Sequence, residues 1–71
     1  MTFTETLKAH RAAANLTQRA VARSLGVTET CVYYWEAGSR KPDLGHLAQL
    51  EQLLGVTPGA LLVPLAYGDT A

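Results

Sequence analysis

Apolar residues recur along this chain with the three- and four-residue spacing of amphipathic helices, and no stretch alternates with the two-residue period of a strand. The pattern predicts an all-α protein of five short helices. Polar residues of the kind that cap helix N-termini precede the first four helices, and Asn or Gly follows each of them. The caps are Thr2, Thr17, Thr28 and Asp43, and the terminating residues are Asn15, Gly26, Gly38 and Gly55.

The C-terminal part of the chain carries weaker helix signals. Pro58 suits the first position of a helix, and Pro64 can stop one. The sequence therefore predicts a fifth helix over residues 58–63. On this basis the domain covers residues 1–64, and residues 65–71 form a short C-terminal tail.

The second and third predicted helices are joined by the stretch "LGVT" at residues 25–28. A turn of three or four residues that contains glycine is typical of a helix-turn-helix. Gly26 permits a positive φ in the turn, and Ala22 is small where the two helices approach each other. The predicted fold is a compact five-helix domain with a central helix-turn-helix.

Three consecutive aromatic residues on the third helix, Tyr33, Tyr34 and Trp35, cannot all face the same way. Val32 and Trp35 are three positions apart, so they share the inner face of the helix. The two tyrosines must then point elsewhere. We expect Trp35 to be a core residue and the tyrosines to be surface groups.

The net charge is zero, but the charges are distributed unevenly. All six basic residues lie between positions 8 and 41 with only two acidic residues among them, which gives this segment a charge of +4. Acidic residues on either side cancel it. Although so few charges can be arranged this way by chance, a basic half favours a polyanionic partner. The basic residues are Lys8, Arg11, Arg19, Arg23, Arg40 and Lys41.

The length of 71 residues allows one domain, which buries roughly 60% of the surface of the unfolded chain. Because Cys31 is the single cysteine, an internal disulfide is impossible. The longest apolar run, residues 60–63, is far too short to span a membrane, and the polar N-terminus does not resemble a signal peptide. These features predict a soluble, cytoplasmic protein without a membrane partner.

No group of residues has the spacing of a catalytic or metal site. His10 and His46 are far apart in the sequence and have no further ligands beside them. Cys31 has no evident base or resolving partner, and no glycine-rich phosphate loop occurs. We therefore expect no metal, no cofactor and no enzymatic activity.

The stretch from Leu16 to Leu62 resembles the phage repressor and Cro-type helix-turn-helix domain nearly from end to end. Each matching element is weak alone, but their order and spacing are specific. The elements are "TQ" at the start of the second helix, Ala22, "LGVT", "V..WE.G", "RKP" and the closing "L..LLGV.P..LL". The resemblance implies a lambda repressor-like fold that binds double-stranded DNA.

The resemblance also implies roles at individual positions. Residues that match the base-contacting face of the recognition helix are Thr28, Glu29, Thr30 and Tyr34. Residues that match or flank phosphate contacts are Thr17, Gln18, Tyr33, Arg40 and Lys41. Arg11 and Glu36 match a pair that ties the first helix to the end of the third. Because a recognition helix enters the major groove with its N-terminus first, early residues are expected to meet bases.

Each of these roles has an ordinary structural alternative. Tyr34 can be a surface tyrosine that covers the helix edge, Tyr33 and Gln18 can be plain exposed residues, and the basic turn can be merely solvated. Glu29 is the least usual residue, because DNA phosphates repel a carboxylate. A glutamate can nevertheless accept a hydrogen bond from the amino group of cytosine.

The sequence thus predicts a sequence-specific DNA-binding transcriptional regulator, a repressor that acts as a homodimer on an inverted repeat. A single helix-turn-helix with few basic residues makes few phosphate contacts, so useful specificity requires two subunits. The apolar residues near the C-terminus are either a dimer surface or core plus tail. They are Leu61, Leu62, Val63, Leu65 and Tyr67.

A second hypothesis assigns the same fold to a protein-interaction module. Such a module is an antitoxin that neutralises a toxin partner, or an adaptor that contacts the transcription machinery. The neutral net charge, Glu29 and the surface tyrosines favour this hypothesis, since tyrosine is common among interface anchors. A neighbouring toxin gene, or DNA binding that changes when a partner is added, would distinguish the two hypotheses.

Overall fold

The computed structural model describes residues 2–67 of the chain and the side chains of residues 2–65. The described residues form five α-helices and no strand, which confirms the predicted all-α fold with its central helix-turn-helix. The helices are α1 (Phe3–Ala13), α2 (Gln18–Leu25), α3 (Glu29–Ala37), α4 (Leu44–Leu54) and α5 (Leu62–Tyr67).

The first four helices begin at the predicted N-caps, and α2, α3 and α4 end at the predicted glycines, whereas the C-cap of α1 is Ala14, one residue before Asn15 with its φ of +58°. The hydroxyl oxygen of Thr17 accepts a hydrogen bond from the N–H of Ala20 at 3.0 Å, and that of Thr28 accepts one from Cys31 at 3.1 Å. Gly26 ends α2 with a φ of +72°, a conformation that side chains disfavour. Each N-cap accepts a hydrogen bond from an N–H that has no acceptor within its helix. Each such cap contributes about 1 kcal/mol to the free energy of unfolding.

The hydrophobic core lies where α2 packs on α3 and α4 and where α1 packs on α3 and α5. Trp35 is buried, as predicted, and its ring centroid lies 5.6 Å from that of His46 in a tilted arrangement that joins α3 to α4. The buried apolar residues are Phe3, Leu7, Val21, Ala22, Leu25, Val32, Trp35, Leu47, Leu50 and Leu61.

The prediction of a fifth helix over residues 58–63 is wrong, because the residues before Leu62 form a turn. The buried carboxylate of Glu51 causes the difference. Its Oε2 accepts hydrogen bonds from the N–H of Gly59 at 2.8 Å and of Leu61 at 3.0 Å. Gly59 has a φ of +93°, which a helix cannot include.

Pro64 does not stop α5 but lies in its first turn. N–H groups in the first turn have no acceptor within the helix, so the proline ring costs α5 no hydrogen bond. The helix continues to Tyr67, beyond the predicted end of the domain at residue 64.

The candidate dimer surface is smaller than the sequence predicts. Leu61 is fully buried in the core, so it cannot contact a partner, and Leu65 is partly buried against the same core. Leu62 and Val63 remain exposed. The side chain of Tyr67, the last residue of the predicted surface, lies outside the described residues.

The predicted pair of Arg11 and Glu36 is confirmed, and a third side chain joins it. Arg11 donates from Nε and Nη2 to the two carboxylate oxygens of Glu36 and from Nη1 to the carbonyl of Leu16. The amide nitrogen of Gln18 donates to Glu36 Oε1 at 3.1 Å. These bonds to Glu36 raise the pKa of Arg11 above its ordinary value. One buried carboxylate therefore joins α1, α2 and α3.

Replacing Glu36 with Ala should lower the free energy of unfolding by about 2–4 kcal/mol, because Arg11 and Gln18 lose their shared acceptor at a partly buried site. A matched control is Glu29→Ala, which breaks an exposed ion pair with Arg19 and should cost less than about 1 kcal/mol. Urea unfolding followed by the fluorescence of Trp35 measures both variants. Equal unfolding midpoints would contradict the role assigned to Glu36.

Candidate nucleic-acid interface

Helix α3 presents two distinct faces. Val32 and Trp35 are 0% and 3% exposed, whereas Tyr33 and Tyr34 are 55% and 37% exposed. The outward orientation predicted for the tyrosines is thereby confirmed. One turn earlier on α3, Glu29 and Thr30 are also exposed, so a polar and aromatic surface follows the outer side of the helix.

Two shallow grooves run beside this outer surface and share Gln18 and Tyr33. The first, of about 260 Å³, is completed by Glu29 and Thr30. The second, of about 380 Å³, extends to α1 and is lined by Lys8, Arg11, Gln18, Tyr33, Glu36 and Ala37. The shared residues make the grooves one continuous surface across α1, α2 and α3.

Lys8 is a member of this surface that the sequence analysis did not assign to the interface. It is exposed and lies one helical turn before Arg11, on the same face of α1. The three-residue spacing of Lys8 and Arg11 in the sequence already indicates that the two side chains share a face of the helix. Because Glu36 neutralises Arg11, Lys8 is the basic residue of the second groove that is not paired with a carboxylate of that groove.

Glu36 fixes the orientation of Gln18. The amide nitrogen of Gln18 has two hydrogens, and one of them is directed to Glu36. The second hydrogen remains available to an acceptor outside the protein. Gln18 is also the first residue of α2, where backbone N–H groups and the positive end of the helix dipole favour an anion.

The hydroxyl oxygens of the two threonines predicted to contact DNA already accept hydrogen bonds within the protein. The oxygens of Thr17 and Thr28 already accept hydrogen bonds from the backbone of their own helices. Each hydroxyl group therefore keeps its hydrogen as the donor for an external group. Both residues are exposed, and they stand at the N-termini of α2 and α3.

Tyr34 and Arg40 form a second unit, separate from the grooves. The guanidinium carbon of Arg40 lies 5.6 Å from the centroid of the Tyr34 ring, within the range of a cation–π contact. The N–H groups of Ser39 and Arg40 donate to the carbonyl of Tyr34, and Pro42 is buried. The basic turn with Arg40 and Lys41 is therefore fixed relative to α3.

Arg19 is another residue that the sequence analysis did not assign to the interface. Its Nε lies 3.5 Å from Oε1 of Glu29, and both side chains are more than half exposed. Ten positions separate the two residues, and they meet because α2 packs on α3. Periodicity within one helix gives no signal for such a pair.

A membrane span and a metal cluster are both absent from the described part of the chain. No helix within residues 2–67 combines the length and apolar character needed to cross a membrane. Over the same residues, histidine, cysteine and acidic side chains do not gather in groups of three that could hold a metal ion.

Comparison with known proteins places this chain in context. The chain is 38% identical over 60 residues to the uncharacterized HTH-type transcriptional regulator YqaE of Bacillus subtilis, covering 84% of this chain and 52% of that protein. It is 36% identical over 62 residues to the HTH-type transcriptional activator BcrR of Enterococcus faecalis, covering 87% of this chain and 30% of that protein. The chain thus spans about half of the first relative and under a third of the second.

A solved structure and a family model match most of the chain. The P22 c2 repressor protein, crystallised in complex with a synthetic operator, superposes with a TM-score of 0.81 at 26% identity, covering 97% of this chain and 98% of that chain. A family model described as "Helix-turn-helix" matches residues 7–61. The chain therefore belongs to the helix-turn-helix family of the phage repressor and Cro type.

Proposed function

We propose that this chain is a sequence-specific double-stranded DNA-binding protein that regulates transcription as a repressor. The observation that carries the proposal is the exposed, polar and aromatic outer face of α3, with residues Glu29, Thr30, Tyr33 and Tyr34. The major groove of B-DNA, about 12 Å wide, admits an α-helix and displays a distinct pattern of donors and acceptors for each base pair. The likeness to a repressor crystallised in complex with an operator supports double-stranded DNA as the partner.

In the proposed complex, the first two turns of α3 and its N-cap contact bases. Thr28, Glu29 and Thr30 lie at its start, and Tyr34 lies one turn further on. Their groups are a hydroxyl donor, a carboxylate acceptor, a second hydroxyl and a phenol, so they can distinguish base edges by hydrogen bonding and by contact with the ring.

The groups around α3 bind phosphates in this proposal. Gln18 offers its free amide hydrogen and Thr17 its hydroxyl at the N-terminus of α2, while Tyr33 offers its phenol from the shared groove. Arg40 and Lys41 supply positive charge from the turn after α3. Such contacts fix the orientation of the protein on the duplex without reading its sequence.

The active form in this proposal is a homodimer on an inverted repeat. Exposed Leu62 and Val63, 39% and 52% accessible, supply an apolar surface for the second subunit. Half-sites centred roughly 34–36 Å apart would place two copies of α3 in successive major grooves on one side of the duplex.

Removing two phosphate contacts should weaken binding to every duplex. The double variant Gln18→Ala/Arg40→Ala should lose roughly tenfold or more in affinity and show a smaller salt slope, because fewer counterions are displaced. Fluorescence anisotropy at several salt concentrations measures both quantities, and a urea unfolding curve verifies that the variant is folded. An affinity and salt slope equal to those of the wild type would rule out the phosphate roles.

Tyr34 and Tyr33 should respond differently to substitution. Tyr34→Ala should change the preference among binding sites, since it removes a base-facing ring, and each lost contact is worth about 1–3 kcal/mol of discrimination. Tyr33→Phe removes a phosphate donor and should lower all affinities alike. Selection from a randomised duplex library reports the preferences, and identical selected sites for wild type and Tyr34→Ala would refute the base-reading role.

Weakening the candidate dimer surface should affect cooperative binding more than folding. Leu62→Ser should shift binding of an inverted repeat towards the affinity of a single half-site. Leu44→Ser is the matched control, because Leu44 is 71% exposed and lies at the start of α4. Sedimentation on the repeat and on the half-site gives the stoichiometry. A dimer that survives Leu62→Ser as well as Leu44→Ser would contradict the assigned surface.

A further inference from the structure

Glu29 poses an electrostatic problem for the proposed function. It is the first residue of α3 and is exposed on the surface that would enter the major groove. A lone carboxylate there approaches phosphates on both sides of the groove and is repelled by them. A glutamate at this position suits the groove only beside a compensating cation or opposite a base that donates a hydrogen bond.

The structure supplies the cation from the neighbouring helix. Arg19 donates from Nε to Oε1 of Glu29 at 3.5 Å, across the turn that joins α2 to α3. The side chains are 68% and 52% exposed, so the pair stands at the outer edge of the motif. Its formal charge is zero, which removes the repulsion that a lone carboxylate would meet.

Gln18 and Arg19 are adjacent at the start of α2, but their side chains contact opposite ends of α3. The amide of Gln18 is directed to Glu36 near the C-terminal end, and the guanidinium of Arg19 is directed to Glu29 at the N-terminal end. The carboxylate at the N-terminal end of α3 is therefore contacted by Arg19, and not by Gln18.

Resting on the proposed function, we infer that Arg19 is a positioning residue for sequence recognition, which holds the carboxylate of Glu29 against a cytosine in the major groove. Cytosine presents its N4 amino group there as a donor, and a carboxylate is purely an acceptor. Adenine also presents an amino group, but the acceptor N7 beside it repels a carboxylate. The pair Arg19–Glu29 thereby selects a C·G base pair at the position that faces the start of α3.

The contribution of Arg19 should appear in recognition and not in folding. An exposed ion pair in water contributes little to the stability of a free protein. When the pair docks against a duplex, water leaves and the effective dielectric constant falls. The attraction between Arg19 and Glu29 at the same distance is then stronger. A variant of Arg19 is consequently expected to unfold like the wild type while binding with altered preference.

The test begins with sites selected by the wild-type protein from randomised duplexes. Dissociation constants are then measured for the selected site and for its three single-base alternatives at the position whose preference changes in Glu29→Gln. Glu29→Gln should reduce the cytosine preference by roughly fivefold or more, and Arg19→Gln should reduce it by about threefold or more. Arg19→Lys keeps a cation beside Glu29 and should restore most of the preference.

A double-mutant cycle separates positioning from general attraction. In the Glu29→Gln background, Arg19→Gln should leave the remaining base preference unchanged, because the group through which Arg19 acts is gone. Arg23→Gln is the matched control, since Arg23 is exposed in the last turn of the same helix and the substitution removes the same charge. It should lower affinity for all duplexes alike and leave the base preference intact.

The outcomes distinguish this inference from the proposed function. If Arg19→Gln behaves as Arg23→Gln does, weakening all duplexes while cytosine stays preferred, Arg19 is an ordinary phosphate contact and the inference is overturned. Effects of Arg19→Gln and Glu29→Gln on preference that simply add would overturn it too. Failure of the wild type to select any duplex would overturn the proposed function, and the inference with it.

Discussion

The interface depends on the buried carboxylate of Glu36. It accepts two hydrogen bonds from Arg11 and one from Gln18, so the end of α3 is tied to α1 and to the start of α2. A charge that is 4% exposed is stable only with such partners, and this requirement fixes where the three helices meet. The groove beside Tyr33 is a direct result, because its walls are the three helices that the carboxylate joins.

The directions of the exposed side chains of α3 are fixed by the burial of its inner face. Val32 and Trp35 bury the inner face, and Trp35 lies against His46 of α4, so the helix cannot rotate about its axis without opening the core. The exposed residues Glu29 and Tyr34 are consequently held at fixed directions. Rigid presentation of this kind lowers the entropy lost on binding, since the helix needs no ordering when a partner arrives.

The sequence predicted the parts of the fold that local chemistry determines. Caps such as Thr28 and terminators such as Gly26 act within a few residues, so four helices could be predicted from the chain alone. The fifth could not, because Glu51 redirects the N–H of Gly59 from eight positions away. The family resemblance gave the Arg11–Glu36 pair, whereas the contact between Arg19 and Glu29 required the packing of α2 on α3, which no residue pattern reports.

The electrostatic arrangement explains how a chain of zero net charge can suit a polyanion. Within the basic segment, Arg11 is matched by Glu36 and Arg19 by Glu29. The positive charge that faces solvent beside α3 therefore comes from few groups, Lys8 and the turn with Arg40 among them. The affinity of one copy for phosphates alone is then expected to be low, which is why the proposed function assigns specificity to base contacts and to a second copy. In the proposed complex, weak general attraction combined with a rigid α3 would favour discrimination, because non-specific DNA competes poorly for a protein with few phosphate contacts.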